Sequence, residues 1–355
     1  MGSNINSVEN IPLKQRWDEF RLQNPKTRVR DAAKELGVTE AELVASSCDG
    51  ISVIRLKPAF KEIIKSFPEL GFVMALTRNE AAVSEIKGNY KNISLNDKGG
   101  LALGDIDLRI FLEPWSSAFA VKEPLKDGDE RRSFQFFDKH GSAVHKVYLN
   151  EKSDQTAYGK IIDEFKSDDQ NDFETIEEIP AETPERPDSE IDVQALRNGW
   201  MALKDTHDFI DFLKNSRVSR LQAFRLAGDD LAYQIDQSNF PSFLNSIAEK
   251  KVKLMTFIGN KGMIQIYSNY INNVVPFKNW INVMDENYNM HLQQDLIASA
   301  WIVKKKKGDD WVSSLELFDE RGEIIALFFN KKKETEPESD EWIEILKSLS
   351  TFEGT

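Results

Sequence analysis

The stretch from Trp200 to Arg225, WMALKDTHDFIDFLKNSRVSRLQAFR, holds the residues best placed for chemistry. Phe209, Ile210, Phe212 and Leu213 recur at helical spacing behind Asp205, a good N-cap, which puts His207 in a first turn. At roughly 100° per residue His207 falls beside Asp211 and Lys214, off the apolar stripe, so packing does not account for it. A helix start disfavours imidazolium and leaves the neutral ring that coordinates a metal, although Asp208 and Asp211 partly oppose this. Arg220 follows thirteen residues on, a guanidinium able to grip an anion. The plain alternative is an ordinary exposed histidine.

The remaining histidines, His140, His145 and His291, are scattered, and His140 and His145 straddle a hairpin glycine and are expected at the surface. No phosphate-binding glycine loop, nucleophile elbow, His-Glu metalloprotease helix or calcium loop is present. The single cysteine, Cys48, excludes an internal disulfide or a thiolate cluster and is expected to be a small core residue. One imidazole with arginines and aromatic residues suits haem, which needs one strong axial ligand, basic groups for two propionates and an apolar wall.

A chain of 355 residues exceeds one ordinary core, and a repeat supplies the explanation. SFQFFDKHGSAVHKVY from Ser133 aligns with SLELFDERGEIIALFF from Ser314 at an offset of 181, and Met74 and Asn79 meet Met255 and Asn260 at the same offset. Leu13 and Trp17 match Leu196 and Trp200, and VTEAELV at Val38 matches VSRLQAF at Val218. The expected fold is therefore a duplicated α+β unit, two large mainly antiparallel sheets with flanking helices. Where the second copy has His207 and Arg220, the first has Lys26 and Glu40. The expected boundaries are a first repeat at 1–165, a connector at 166–190 and a second repeat at 191–355. The connector carries ten acids and two bases, much of the net charge of −13, and is expected to be solvated. No apolar run spans a bilayer and MGSNINSVEN lacks the marks of a signal peptide, which points to a cytoplasmic protein without stable membrane insertion.

VMALTRNEAAV at Val73, GDIDLRIFL at Gly104, the DTHDF segment, LMTFIGNKGMIQIY at Leu254 and NWINVMDENYNMHL at Asn279 together resemble the cytoplasmic haem-uptake and hemin-degrading proteins of the HemS/ChuS type. The resemblance runs from Trp17 to Trp342 and implies one haem in a cleft between the halves. It makes His207 the axial iron ligand. It also assigns Arg109 and Phe111, two apart on one strand face, and Arg220, Phe257, Lys305 and Lys332 as haem contacts. Leu327 stands where relatives commonly carry glutamine, and Lys332 near an arginine, so a polar contact and a bidentate grip are lost. The implied partners are haem, a haem-delivering transporter, and a downstream haem oxygenase or an electron-donating reductase.

Two fates for the ligand stay open, intracellular transfer or oxidative ring opening by the chain itself. A DNA-binding regulator is the competing class, suggested by the helix pair from Val29 to Val44. Glu40 and Glu42 open its second helix, where a groove-reading helix wants Arg, Lys, Asn or Gln, so nucleic acid is not an expected partner.

Overall fold

The computed structural model describes residues 11–125, 128–181, 184–308, 310–333 and 336–352. The expected N-terminal decapeptide without a signal and residues 182–183 of the connector lie outside them. Two nine-stranded antiparallel sheets are formed, accompanied by helices, as the repeat predicts.

The chain divides into two compact units. The first takes in the described residues up to Leu76, Lys87–Pro180 and Asn260–Met263, and the second Thr77–Ile86, Ala181–Gly259 and the chain from Ile264 onward. The tip of one hairpin from each repeat is thus counted with the other unit. Hydrophobic patterning cannot foresee this, because the exchanged tips keep the same alternation. In the second unit Asn79 Nδ2 donates to the carbonyls of Gly259 and Ile325, and its Oδ1 accepts from the N–H groups of Ala81 and Ala82. In the first, Asn260 Nδ2 donates to the Val144 carbonyl and its Oδ1 accepts from Gly262 and Met263. Asn79 and Asn260, like Val144 and Ile325, differ by 181 in number, so the repeat extends to its hydrogen bonds.

In the first repeat, strands Val53–Arg55, Trp115–Pro124, Glu130–Asp138, Ala143–Ser153 and Gly71–Arg78 lie side by side in that order. Helix Glu40–Ala45 starts with a capping box between Thr39 and Glu42, and its Ala41, Val44 and Ala45 pack on Phe119 and Val121. Cys48 packs at the margin of this cluster, and burial pushes its thiol up.

The acidic connector is more structured than its composition suggests. Arg55 reaches Glu174 at 2.6 Å, Gln170 bonds both backbone groups of Arg55, and Ile176 packs against the same core. Gly141 accommodates it: a Cβ there, at φ +77°, would meet Thr39 and Ile176. Farther along, in the second unit, Glu185 binds Ser219 and Arg225, and Gln222 donates to the Arg186 carbonyl. Glu174 and Glu185 thus have cationic partners, which composition alone does not reveal.

In the second repeat the corresponding order is Ala232–Ile235, Ser299–Lys307, Asp310–Phe318, Ile324–Asn330, Leu254–Gly259 and Met263–Asn269. Helices Val193–Met201, Phe209–Ser216 and Arg220–Ala227 cover one part of one face through Trp200, Phe209, Leu213 and Phe224, which pack with Trp301 and Val303. Trp200 is the centre of this cluster: its ring meets Phe209 edge-on at 4.6 Å, and its Nε1 donates to the Lys304 carbonyl at 2.9 Å. Burying a side chain of this size is worth about 1.5–3 kcal/mol or more, so the turn before Phe209 is anchored by its C-terminal neighbour.

Candidate functional site

His207 lies in a single 3-10 turn, Thr206–Asp208, that precedes helix Phe209–Ser216, and not inside that helix as its spacing predicts. Asp205 caps the shorter turn, accepting the His207 N–H at 2.8 Å and the ring Nδ1–H at 2.5 Å. The backbone bond and then the ring hold the Asp205 carboxyl below the usual carboxylate range. With Nδ1 so engaged, Nε2 carries the lone pair, on a side chain that is 89% exposed. A carboxylate behind a ligating imidazole fixes its tautomer and strengthens it as a donor, so this turn suits a single axial ligand.

Two residues on, Phe209 turns into the protein and meets the cations of the second unit. Arg220, the first residue of its helix after the Ser219 cap, lies 5.2 Å from the Phe209 ring centroid, and the Lys305 ammonium lies 4.8 Å from it. Both bind one carboxylate. Glu316 receives Arg220 through Nε at 2.7 Å and Nη2 at 3.0 Å, Lys305 at 2.5 Å and the Ser314 hydroxyl at 2.9 Å. Glu316 is fully buried and Lys305 nearly so. Burial opposes ionisation of Glu316, but Arg220 and Lys305 outweigh it and hold the carboxyl down at about 2. Lys305 is lowered to about 8 by burial and the neighbouring Arg220, with Glu316 acting against both.

Strand register shows what lies beside this group. Trp301, Glu316, Leu327 and Phe257 are cross-strand partners in sequence, and so share one face. At the Trp301 side the helices cover that face. At the other side Leu327, Phe329, Met255 and Phe257 stay partly exposed, with Phe329 and Phe257 in edge contact at 5.3 Å. The second unit therefore brings Arg220 and Lys305 together on Glu316, with Leu327 beside it across the strands and Phe257 one strand beyond, and both cations face the ring of Phe209, two residues after His207. Lys332 is separate, donating to the Glu336 carbonyl beyond the strand end.

In the first unit, Asp107, Arg109 and Phe111 alternate with buried Leu108 and Ile110, so the strand does present them on one face. Phe111 is exposed, and Arg109 bonds Asp107 at 2.5 Å, the ion pair that its spacing allows. His145 differs from its expected surface position. It is buried against Tyr90, whose hydroxyl lies 2.6 Å from Nε2, and burial pushes its ring down to about 3. The strand alternation places it opposite Phe136, on a core-facing row. His140 instead lies near the surface, its Nδ1 by the Glu177 carbonyl.

Glu316, Phe329 and the orienting role of Asp205 escaped the sequence reading. A signal for the first existed: between SFQFF and SLELF, the position of Gln135 is taken at the repeat offset by Glu316, a charge set among apolar residues.

Fold and site together define a duplicated α+β protein with a clamped, exposed imidazole in the same unit as a buried excess of cations. The model of the haemin-degrading HemS/ChuX domain matches residues 37–165 and 217–349, one segment in each repeat. The chain is 36% identical over 342 residues to the hemin transport protein HmuS of Yersinia pestis, covering 96% of this chain and 98% of HmuS. Among solved structures, holo-PhuS, a heme-binding protein from Pseudomonas aeruginosa, superposes with a TM-score of 0.92 at 40% identity, covering 96% and 99% of the two chains. ChuS, an Escherichia coli heme oxygenase, gives 0.84 at 32% identity over 96% and 99%. The chain belongs to the HemS/ChuX haemin-degrading family.

Proposed function

We propose that this chain binds one haem, with His207 as the axial ligand, and carries it inside the cell after import. The observation that bears most on this is the His207 ring held by Asp205, with Nε2 outward, on the same unit as two cations and an open apolar strip. The donor set fits haem: one nitrogen, cations for acidic side chains, and hydrocarbon from Leu327, Phe329 and Phe257. When bound, the group supplies iron redox and oxygen chemistry. The protein's part is to orient the imidazole, receive carboxylates and keep water from the apolar strip. Arg109 and Phe111 are proposed contacts from the first repeat, and Lys332 an accessory cation, on the strength of the family resemblance. HmuS is named as a transport protein and ChuS as a heme oxygenase, so both fates occur among relatives. Transfer is the better reading here, because Leu327 puts hydrocarbon where an amide would offer oxygen a hydrogen bond.

An absorption titration with hemin, on the full chain and on His207→Ala, tests the ligand. The wild type should saturate at one equivalent, and the variant should shift its Soret band and bind less tightly. Identical spectra and stoichiometry would remove His207. Ascorbate added in air to the complex tests the fate: a persistent Soret band supports transfer, and its loss to a ring-opened product would make the chain an enzyme.

A further inference from the structure

We propose that Glu316 is a positioning residue that gives the site its selectivity for a carboxylate-bearing ligand, by holding Arg220 and Lys305 together as a pair with one uncompensated positive charge. This rests on the haem-binding reading above and goes beyond it in assigning a role to a residue that itself has the wrong charge to bind an acid.

The geometry carries the argument. Glu316 takes two donors from Arg220, one from Lys305 and one from Ser314, so neither of its oxygens is left wanting. Arg220 spends Nε and Nη2 on this bond, and its side chain is 15% exposed, which leaves the remaining guanidinium edge for a ligand. Lys305 lies between two rings, Phe209 at 4.8 Å on the helix side and Phe329 at 5.8 Å on the open strip. Two cations against one carboxylate, out of water, form a site that a second carboxylate completes. A neutral ligand of the same shape completes nothing.

The equivalent place in the first repeat lacks this property. Helix residue Glu40 there meets strand residue Lys146, both buried, and the further acid that faces Lys146, Glu123, is answered by Arg131, so the charges balance. A structural ion pair needs no surplus, so the third charge in the second unit calls for a different explanation.

Glu316 also keeps Lys305 charged. The charged groups facing Lys305 are Glu316 on the next strand and Arg220 on the helix, and Phe209 and Phe329 flank it. Burial and Arg220 both favour the neutral amine, and Glu316 opposes them, leaving the ammonium to titrate at about 8. Without Glu316 both remaining influences, burial and Arg220, push the amine further toward its neutral form.

The test compares hemin with hemin dimethyl ester on the full chain, each followed by absorption titration. The wild type should favour the diacid by about tenfold or more at pH 7, and by about threefold or less at pH 9.5, where Lys305 has lost its proton while the propionates stay ionised. Glu316→Gln should reduce the preference at pH 7 to about threefold or less and leave affinity for the ester within about twofold of wild type. A Glu316→Gln protein that keeps or exceeds the wild-type preference would overturn the assignment. If that variant does not fold, the wild-type profile decides alone: a preference that is flat from pH 6.5 to 9.5 is equally fatal. Failure to bind either porphyrin would defeat the haem reading, and this inference with it.

Discussion

The rows Arg55, Phe119, Gln135, Lys146, Leu76 and Gln234, Trp301, Glu316, Leu327, Phe257 occupy equivalent places in the two repeats, each read across five hydrogen-bonded strands. Both bury charge under the first residue of a capped helix, and they do so with reversed polarity. In the first repeat the helix supplies the acid, Glu40, and the strand the base, Lys146. In the second the helix supplies Arg220, the strand supplies Glu316, and a neighbouring strand adds Lys305. Lys146, buried but answered by Glu40, is raised above the ordinary lysine value, whereas Lys305 falls to about 8. One architecture thus serves once as a closed structural lock and once as a receptive site. What separates them is charge balance, since backbone and burial are alike.

The widest difference should appear in stability. Lys146→Met leaves Glu40 without a partner where both side chains are under a tenth exposed, at 8% and 9%, and should cost about 3–5 kcal/mol in urea unfolding. Lys305→Met leaves Glu316 gripped by Arg220 through two bonds, and should cost less than about half as much. Equal losses would show that the second repeat's lysine is as structural as the first's, and the contrast would fail.

Acid should separate the repeats next. His145 is pushed to about 3 by burial, and in the unfolded chain it returns to its ordinary 6.5, so unfolding takes up a proton between those values. Its contribution is complete above pH 6.5 and is lost as pH falls toward 3, about 3 kcal/mol of it by pH 4. At the repeat offset the second unit has buried Ala326, which does not titrate. The Glu316 contribution there is complete above the ordinary 4.5 and fades only as pH falls through about 2. Hydrogen exchange between pH 6.5 and 4 should therefore show strand Ala143–Ser153 losing protection before strand Ile324–Asn330. His145→Gln should delay that loss.

Where the repeats are truly alike, their variants should be too. Asn79→Ala and Asn260→Ala each remove a side chain that bridges a hairpin turn to a partner strand, and each should cost about 1–3 kcal/mol, within about 0.5 of one another. Unequal losses by thermal unfolding would mean that the two hairpin tips are not equivalent.

Much of this was legible in the chain. Matching strings at a constant offset disclosed the duplication, and alternation disclosed the strands, because both depend on local patterns that survive divergence. Thr39 with Glu42 announced its capping box, and the Asp205 to Phe209 segment announced a capped start, although as one helix where the fold makes a 3-10 turn and then a helix. Partnership was less legible. Arg220 and Lys305 are 85 residues apart in number and meet at Glu316 and Phe209 only in the folded chain, and His145 finds Tyr90 only through tertiary packing. The connector's acids are mostly exposed, as expected, and what its sequence did not show is that Arg55 and Arg225, remote in number, hold two of them.

The smallest effect concerns which cations of the second repeat matter. Lys332 and Lys305 both stand in lysine-rich runs, and composition gives no ground for ranking them. Their surroundings do. Lys305 is 3% exposed and faces a carboxylate, an arginine and two rings, so its charge acts through a medium that screens it little. Lys332 is partly exposed and bonded to a backbone carbonyl past the end of its strand, where water and salt weaken any attraction to about 0–1 kcal/mol. Lys332→Ala should accordingly change hemin affinity by less than about threefold, and the change should vanish in 0.5 M salt, whereas the loss in Lys305→Met should persist there. A large, salt-resistant loss in Lys332→Ala would move the receptive part of the second repeat from its buried cations to its edge, and the contrast with Glu40 and Lys146 would no longer explain what the second repeat does.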